Sequence, residues 1–416
     1  MNKKNHIYLL AIILGVYCFM QTPILYAVSQ VSNNPEIING KTVSGEIIDL
    51  HIKNTILRRT DFKKASLYRP HFENVIFEDC NFIDTYIDDG TFENVKFIRG
   101  KFAREAADDN YEIQAKMDGS YFTNVEFDDV ELVKFDMYFW MKGGVVSLKN
   151  ISKITESQTR GAGFSTGGGN SPGLISIENC SLKGVPLLIT HNKQSRIYVT
   201  NSRFVDSGIS GEALAFYAEN SSFLDRSKTP DSETMVITNC VLSGGMNATK
   251  NGYAINNTYP DRSGCNGPPE ANYYFVNKER QKVKLHMNGG NFYVYNMELV
   301  DSYSRQLNDS RPPVTSMNLK DVTIRGGDWK KARVLNSQWE NVQLYPPVDV
   351  TNANVGTIRV HNVIYPEGNP WVGSGSYAKI VPSDTPFTWP EIHVPTKEEL
   401  GMTEKMPEVT GKPSGK

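Results

Sequence analysis

The first quarter of the chain repeats large apolar residues at an unusual spacing. One such residue recurs at every fifth position, with mostly polar residues between. An amphipathic helix would repeat near 3.6 residues and a half-buried strand at two, so the pattern predicts neither element in its ordinary form. The large positions are Ile47, Ile52, Leu57, Phe62, Leu67, Phe72, Phe77, Phe82, Ile87, Phe92, Phe97 and Phe102.

A second, mostly compact residue stands two positions before each large one. These residues are Gly45, Leu50, Thr55, Thr60, Ala65, Pro70, Val75, Cys80, Thr85, Gly90, Val95 and Gly100. One large and one compact inward residue in every five is similar to the pattern of pentapeptide-repeat proteins. The resemblance implies a right-handed parallel β-helix whose square, quadrilateral turn contains four pentads, so that residues twenty apart stack. Stacked coils bury one continuous core that a single coil cannot form.

Asparagines support this stacking. Asn54, Asn74 and Asn94 each follow a large residue by two positions and lie twenty residues apart. Asparagine suits a corner, because it tolerates the left-handed backbone conformation and its amide can bond the next coil. The pattern recurs at Asn124, Asn150, Asn179, Asn201, Asn220, Asn239, Asn296, Asp321, Asn341 and Asn362, and more weakly at Asn257 and Asn277. This asparagine ladder predicts one all-β solenoid of about 16 coils.

The five-residue spacing is clear in only part of the chain. It returns late, at Leu319, Ile324, Trp329, Val334, Trp339 and Leu344. Between these two regions the coils vary from 18 to 22 residues. A three-sided β-helix of the pectate-lyase (pectin-lyase-like) type therefore stays open as the alternative to square coils in the middle of the chain.

The two ends of the chain differ from the solenoid. Residues 1–29 combine a basic start, an apolar run and small residues at a cleavage position, which predicts a secretory signal peptide, with an uncleaved membrane anchor as the alternative. We expect a periplasmic, cell-surface or secreted protein. The Pro-rich tail is expected to pack Phe387 and Trp389 on the last coil and then fray. The predicted organisation is a signal at 1–29, a lead or cap at 30–46, a pentapeptide-repeat β-helix at 47–139, a more degenerate parallel β-helix at 140–375 and the tail at 376–416.

Net charge and the absence of known motifs limit the classes of partner that the protein could bind. Without residues 1–29, which hold two lysines and no acids, 42 basic residues face 46 acidic ones, a net charge of −4. This balance argues against nucleic acid, and no membrane span is expected after signal cleavage. The sequence shows no metal-ligand spacing and no cofactor motif. Cys80, Cys180 and Cys240 take compact inward positions, whereas Cys265 is predicted to lie in a loop. The oligomeric state stays open.

Candidate functional residues lie where the coils exceed their minimal length. A short helical insertion is predicted near 103–116, and residues 301–335 carry seven Lys or Arg against four acids. Arginine binds carboxylate or sulfate groups through paired hydrogen bonds, which favours an acidic polysaccharide as ligand. Asp328 with Lys330 and Arg333 is the candidate acid–base cluster. The predicted glycan-binding residues are Arg305, Arg311, Arg325, Lys330 and Arg333.

These features predict an exported β-helical protein that binds acidic polysaccharide without catalysis. Many right-handed β-helices are lyases, epimerases or hydrolases of uronate polysaccharides, and such an enzyme is the first alternative. The motifs Asp-Pro-His, Asn-Thr-Asp and Gly-His-Gly of those families are absent from the sequence. A structural or adhesive protein that binds another protein is the second alternative.

Overall fold

The chain folds as a parallel β-solenoid. A computed structural model describes residues 35–105, 115–155, 163–169, 171–303, 314–329, 333–349, 354–370 and 379–411. In those ranges every regular element is a β-strand, and the strands pair in parallel with strands of neighbouring coils. The solenoid has about 15 turns. The predicted all-β parallel β-helix is therefore confirmed.

The N-terminal coils are four-sided. From Asp49 to Arg99 a residue with positive φ recurs at every fifth position, with φ between 47° and 55°. Each twenty-residue coil therefore turns four corners. A corner residue other than Gly, Asn or Asp, such as Lys64, accepts about 1–2 kcal/mol of backbone strain that the stacking must offset. The strands of these coils are β1 (Glu36–Asn39), β2 (Thr42–Ile48), β3 (His51–Arg58), β4 (Asp61–Tyr68), β5 (His71–Glu78), β6 (Asn81–Ile83), β7 (Tyr86–Asp88), β8 (Thr91–Ile98), β9 (Lys101–Ala103), β10 (Lys116–Asp128) and β11 (Glu131–Val133).

Phenylalanine columns fill the core of these coils. Phe77, Phe97 and Phe127 stack face to face, with ring centroids 4.8 and 4.9 Å apart. A second column begins at Phe62, with spacings of 4.6 and 4.5 Å. The rings are at most 1% exposed. The five-residue spacing thus exists because each coil must place one large side chain in each column.

Ten extra residues between Asn94 and Asn124 leave the stack undisturbed. The Asn124 amide donates to Asn94 Oδ1 over 3.0 Å, as in coils without an insertion. Residues 106–114, which hold most of the helix predicted near 103–116, lie outside the described residues. The insertion therefore leaves and rejoins the solenoid between β9 and β10 without changing the register.

The middle coils are three-sided, because each contributes three strands. One side is a separate four-stranded sheet of β17, β20, β22 and β24. The strands are β12 (Asp136–Met141), β13 (Val145–Lys149), β14 (Lys153–Thr155), β15 (Phe164–Thr166), β16 (Gly173–Glu178), β17 (Ser181–Lys183), β18 (Leu188–Thr190), β19 (Ser195–Thr200), β20 (Arg203–Val205), β21 (Ile209–Glu219), β22 (Ser222–Leu224), β23 (Asp231–Thr238), β24 (Val241–Leu242), β25 (Gly245–Met246), β26 (Ala248–Ile255) and β27 (Arg262–Asn266).

The last coils contain longer strands. These are β28 (Asn272–Asn288), β29 (Asn291–Tyr303), β30 (Ser316–Lys320), β31 (Thr323–Asp328), β32 (Arg333–Asp349), β33 (Asn354–Ile364) and β34 (Lys379–Pro382). Trp329 and Trp339 are 2% and 1% exposed, so both point inward as the late five-residue register predicts. β34 pairs with β33, and the stack therefore continues into the segment that was predicted as tail.

One part of the asparagine ladder differs from the prediction. Asn256, with φ of 52°, turns the corner instead of Asn257, which is 1% exposed. The Asn257 amide donates to Ile237 O over 2.9 Å and accepts from the Cys240 N–H over 2.8 Å. Asn277 is also buried and donates to Asn257 O over 3.1 Å. A buried amide needs such partners, and the inner positions supply them from the backbone of the adjacent coils.

The cysteines of the described residues are all free and buried. Cys80, Cys180 and Cys240 are at most 2% exposed, at the predicted inward positions. The placement of Cys265 in a loop is wrong, because its segment pairs with β25 and β28 as strand β27. The alternation of that strand turns the Cys265 side chain inward, where it is 2% exposed.

The described part of the C-terminal segment packs on the solenoid instead of fraying as predicted. Residues 383–411, called the strap below, run back along the solenoid. Phe387 and Trp389, which were predicted to pack on the last coil, bond Glu340 of β32, whereas Lys397 contacts β21 and Gly411 reaches β3. These contacts hold the strap across most of the length of the stack.

Among the residues that the structure describes, no helix is long and apolar enough to cross a membrane. Residues 1–34 lie outside that part of the chain, so the signal peptide stays a prediction.

Candidate functional site

The basic patch predicted from the sequence is only partly described. Arg325 is exposed in β31, where its Nε donates to Glu298 over 2.8 Å and its guanidinium lies 4.0 Å from the ring centroid of Tyr345. Asp328 is half-buried at the end of the same strand. Arg305, Arg311, Lys330 and the side chain of Arg333 lie outside the described residues. The glycan-binding and acid–base roles of this patch therefore stay predictions.

A groove of about 750 Å³ crosses successive coils in the middle of the solenoid. We call it the aspartate groove, after Asp225, Asp231 and Asp261, which line it. Its walls come from the turn between β22 and β23, the segment from β24 to β26, the strand β27 and the end of β28. The groove therefore depends on turns and strand ends that the coil stacking places side by side.

Glycines form part of the floor of the aspartate groove, where the main chains of adjacent coils approach closely. A Cβ at Gly244 would lie 2.5 Å from Ser227 O, and one at Gly211 would lie 1.8 Å from Thr190 O. Gly211 also has a φ of 97°, which residues with a Cβ rarely adopt. Gly264 continues the floor on the next coil. These glycines add no side chains of their own to the lining of the groove.

Charged side chains stand around this floor without partners. Asp225, Arg226, Lys228, Asp231 and Asp261 are exposed. In the described part of the chain, none of these side chains makes a hydrogen bond or an ion pair. Both signs of charge are therefore available to a ligand in the groove.

In the N-terminal coils, by contrast, several charged side chains form ion pairs with the adjacent coil. Arg99 Nε lies 2.8 Å from Asp79 and its Nη2 lies 2.8 Å from Glu78, while Arg69 pairs with Asp49 over 2.9 Å. The hydrogen bond from Arg99 lowers the pKa of the Asp79 carboxyl. Such exposed pairs contribute little to stability, but they show that stacked coils can pair opposite charges readily. The exposed charges of the aspartate groove have no such partners within the described residues.

Arg262 and His286 contact each other at the edge of the groove. Arg262 Nη2 donates to His286 Nδ1 over 2.8 Å, and His286 is 8% exposed. Because arginine can only donate, Nδ1 is the acceptor in this contact. Cys265 also lines the groove, but burial raises the pKa of its thiol well above the usual value. It is therefore not a nucleophile.

A second groove, of about 640 Å³, lies between the strap and the strands that it crosses. We call it the tryptophan groove. Trp389 Nε1 donates to Glu340 Oε2 over 3.0 Å, and the indole packs edge-on against Tyr295 with centroids 5.6 Å apart. The other residues that line it are Tyr293, Ser316, Asn318, Asn336, Ser337, Gln338, Thr357, Arg359, Thr388 and Pro390.

Neither groove was predicted from the sequence, although one of them has a signal there. The tripeptide Asp-Arg-Ser occurs at 225–227 and again at 261–263. In both copies the serine is buried, at 2% and 0% exposure, and the aspartate and arginine line the aspartate groove. The tryptophan groove has no such signal, because its two walls are distant in sequence. In the ranges that the structure describes, no group of three or more His, Cys, Asp or Glu side chains could hold a metal ion.

Known proteins resemble this chain only weakly. No family model matches it, and no curated protein does. A similar solved structure is the catalytic unit of the thermostable GH87 alpha-1,3-glucanase from Streptomyces thermodiastaticus strain HF3-3, with 11% identity and a TM-score of 0.20. The match covers 86% of this chain and 64% of the glucanase chain. A likeness of that degree says nothing about what this chain binds.

Proposed function

We propose that the protein is an exported β-solenoid that binds a polysaccharide in the aspartate groove. The observation that carries the proposal is the set of unpaired charges around a groove whose floor is partly formed by glycines. Carboxylates accept hydrogen bonds, whereas arginine and lysine donate them. A sugar hydroxyl both donates and accepts, so it suits either partner. Hydrogen bonds to charged groups are also stronger than those between neutral groups.

The charge balance of the groove favours a neutral or sparsely charged polysaccharide. Its three carboxylates face three cations, Arg226, Lys228 and Arg262. A polyanion would meet the carboxylates as well as the cations. The prediction of an acidic polysaccharide ligand was made for the patch around Arg325, and it stays a prediction for that patch.

Glycoside hydrolysis is a second candidate function. It is favoured by the three carboxylates of Asp225, Asp231 and Asp261, which face one cavity. Hydrolases use one carboxyl group as an acid and another as a base or nucleophile. A lyase or epimerase would need a base beside a cation, for which the Arg262 edge of the groove is the available place.

The test is to incubate the purified protein with neutral and acidic polysaccharides, following retention and new chain ends. Asp231→Asn and Arg262→Ala should each weaken retention about tenfold. Glu233→Gln is the matched control, because Glu233 lies on the same strand as Asp231 but pairs with Lys250. New chain ends that form with the parent protein but not with an aspartate variant would establish hydrolysis. Equal retention by all variants would remove the groove from the proposal, and no retention would favour a structural or protein-binding role.

A further inference from the structure

The strap holds Trp389 in a fixed position. The Phe387 N–H and Trp389 Nε1 both donate to Glu340 Oε2, over 2.7 and 3.0 Å. Tyr295 packs on the indole, and Lys320 Nζ lies 5.8 Å from its centroid. Because the indole N–H already has a partner, the half-buried ring offers a ligand its hydrocarbon face. A ring that is fixed before binding loses little conformational entropy when a ligand stacks on it.

The rest of the tryptophan groove is almost uncharged. Its lining is dominated by amide and hydroxyl side chains, among them Asn336, Gln338 and Thr357, and no described Asp or Glu lines it. The single cation, Arg359, lies 5.2 Å from the ring centroid of Phe387. Each amide both donates and accepts, which matches a ligand rich in hydroxyl groups rather than an anion or a cation.

A polar ladder leads along the solenoid into this groove. Asn272 donates to Asn251 over 3.2 Å, Asn291 donates to Asn272 over 3.3 Å, and Ser316 Oγ donates to Asn291 over 2.9 Å. A column of stacked tyrosines runs beside it and ends at Tyr293 in the groove, with ring spacings of 5.0 Å. Strands repeat at about 4.8 Å, close to the length of one sugar unit in an extended chain. Successive units of such a chain would meet similar groups.

From these three observations we infer that the strap completes a second binding site, in which a neutral polysaccharide segment stacks on Trp389 and bonds the amides of the tryptophan groove. The inference rests on the proposed function in taking the ligand to be a glycan. It differs from the proposed function in its site, because the ligand binds in the tryptophan groove, which the strap helps to form. The side chains that would contact the ligand there are also uncharged.

The test uses the whole protein with two probes, a neutral β-1,4-linked glucohexaose and an acidic α-1,4-linked galacturonate hexamer. The test variant combines Asn336→Ala and Gln338→Ala, because neither side chain bonds another residue of the described ranges and the strap should stay in place. Gln343→Ala, also exposed and on the same strand β32 but outside the groove, is the matched control. Calorimetry gives the affinity, and indole fluorescence reports contact with Trp389.

We expect the double variant to weaken glucohexaose binding about tenfold, with an unchanged melting temperature and little dependence on salt. Trp389→Phe should abolish the fluorescence change on binding. Unchanged affinity in the double variant, or a preference for the acidic hexamer, would overturn the inference. If Asp231→Asn abolishes binding while the double variant binds normally, the proposed function stands and this inference fails. The reverse pattern supports this site and overturns the proposed one, and no glycan binding at all overturns both.

Discussion

A single substitution can remove the anchor of the strap at Glu340. This residue is 5% exposed, and its Oε2 accepts the two hydrogen bonds from the strap. Lys320 lies 3.7 Å from its other oxygen. In Glu340→Ala, the Phe387 and Trp389 donors lose their acceptor. We expect the strap to detach locally between β32 and its next anchor at Lys397, while the stacked coils stay folded, because they pair independently of the strap.

The size of the effect follows from the contacts. A hydrogen bond to a charged group contributes about 1.5–3 kcal/mol, so the two bonds together hold this end of the strap by about 3–6 kcal/mol. The ion pair with Lys320 is partly exposed and adds at most about 1 kcal/mol. Glu340→Gln keeps one oxygen for the donors but loses the charge, and should cost about half as much as Glu340→Ala.

The assay is native-state hydrogen exchange at the Phe387 amide. A loss of about 3 kcal/mol corresponds to exchange about a hundredfold faster in Glu340→Ala, with Glu340→Gln in between. Gln343→Ala, on the same strand, should exchange like the parent protein. If the Phe387 amide exchanged equally fast in the parent and in Glu340→Ala, Glu340 would not be the anchor and the described path of the strap would be wrong.

The same anchor predicts a dependence on pH. Burial alone would raise the pKa of Glu340, but the hydrogen bonds from Trp389 and Phe387, with the charge of Lys320, outweigh it and lower that pKa. A carboxyl group with a lowered pKa stabilises the folded state at pH values above its pKa in the unfolded state, near 4.3. This contribution is lost as the pH falls through the pKa of the group in the folded state. Exchange of the Phe387 amide should therefore accelerate, beyond its intrinsic pH dependence, below about pH 4. Glu340→Gln should lack this acceleration.

Three further predictions concern the solenoid itself. Phe97→Ala, in the middle of a stacked column, should destabilise the N-terminal coils by about 3–5 kcal/mol, measured by urea unfolding with Phe97→Leu as the milder control. Asn94→Ala should cost about 1–2 kcal/mol more than Asn94→Gly in the same assay, because Asn94 has a φ of 55° and only glycine adopts that corner without strain; equal costs would contradict the corner assignment. Burial raises the pKa of Cys80, Cys180 and Cys240 to about 12, so these thiols should react with a disulfide reagent in mildly alkaline buffer only after denaturation, and rapid reaction of the native protein would contradict their burial.

The repeat made most of the fold predictable because its physical cause is local. A coil must place a large residue in each column and a residue that tolerates positive φ at each corner, and both requirements are visible within five residues. The prediction failed by one position at Asn256, where Asn257 turns inward to bond Ile237 O and the Cys240 N–H. Those partners belong to the preceding coil, so the local sequence does not reveal whether the first or the second asparagine takes the corner.

The strap and the grooves were less predictable because their contacts join distant parts of the chain. Lys397 contacts Glu219, 178 residues earlier, and Arg196 donates to the Gly401 carbonyl over 2.8 Å. No periodicity in the tail indicates these partners, since a strap needs only a few anchors. The basic patch could be predicted from its local composition, but the partners of its side chains could not. Arg325 contacts Glu298 and Tyr345, which belong to neighbouring coils.

Coil stacking also determines which surface charges of this fold can pair. In a parallel stack, a surface side chain lies beside the corresponding residue of the next coil, and opposite charges there pair, as Arg99 and Asp79 do. In the aspartate groove, Gly245 and Gly264 occupy adjacent strands of the floor and offer the wall charges no side-chain partner. These two glycines therefore leave the three aspartates, Arg226 and Lys228 available to a ligand. A solenoid can bind a ligand where the charged side chains of adjacent coils do not pair with one another, and the aspartate groove is such a place.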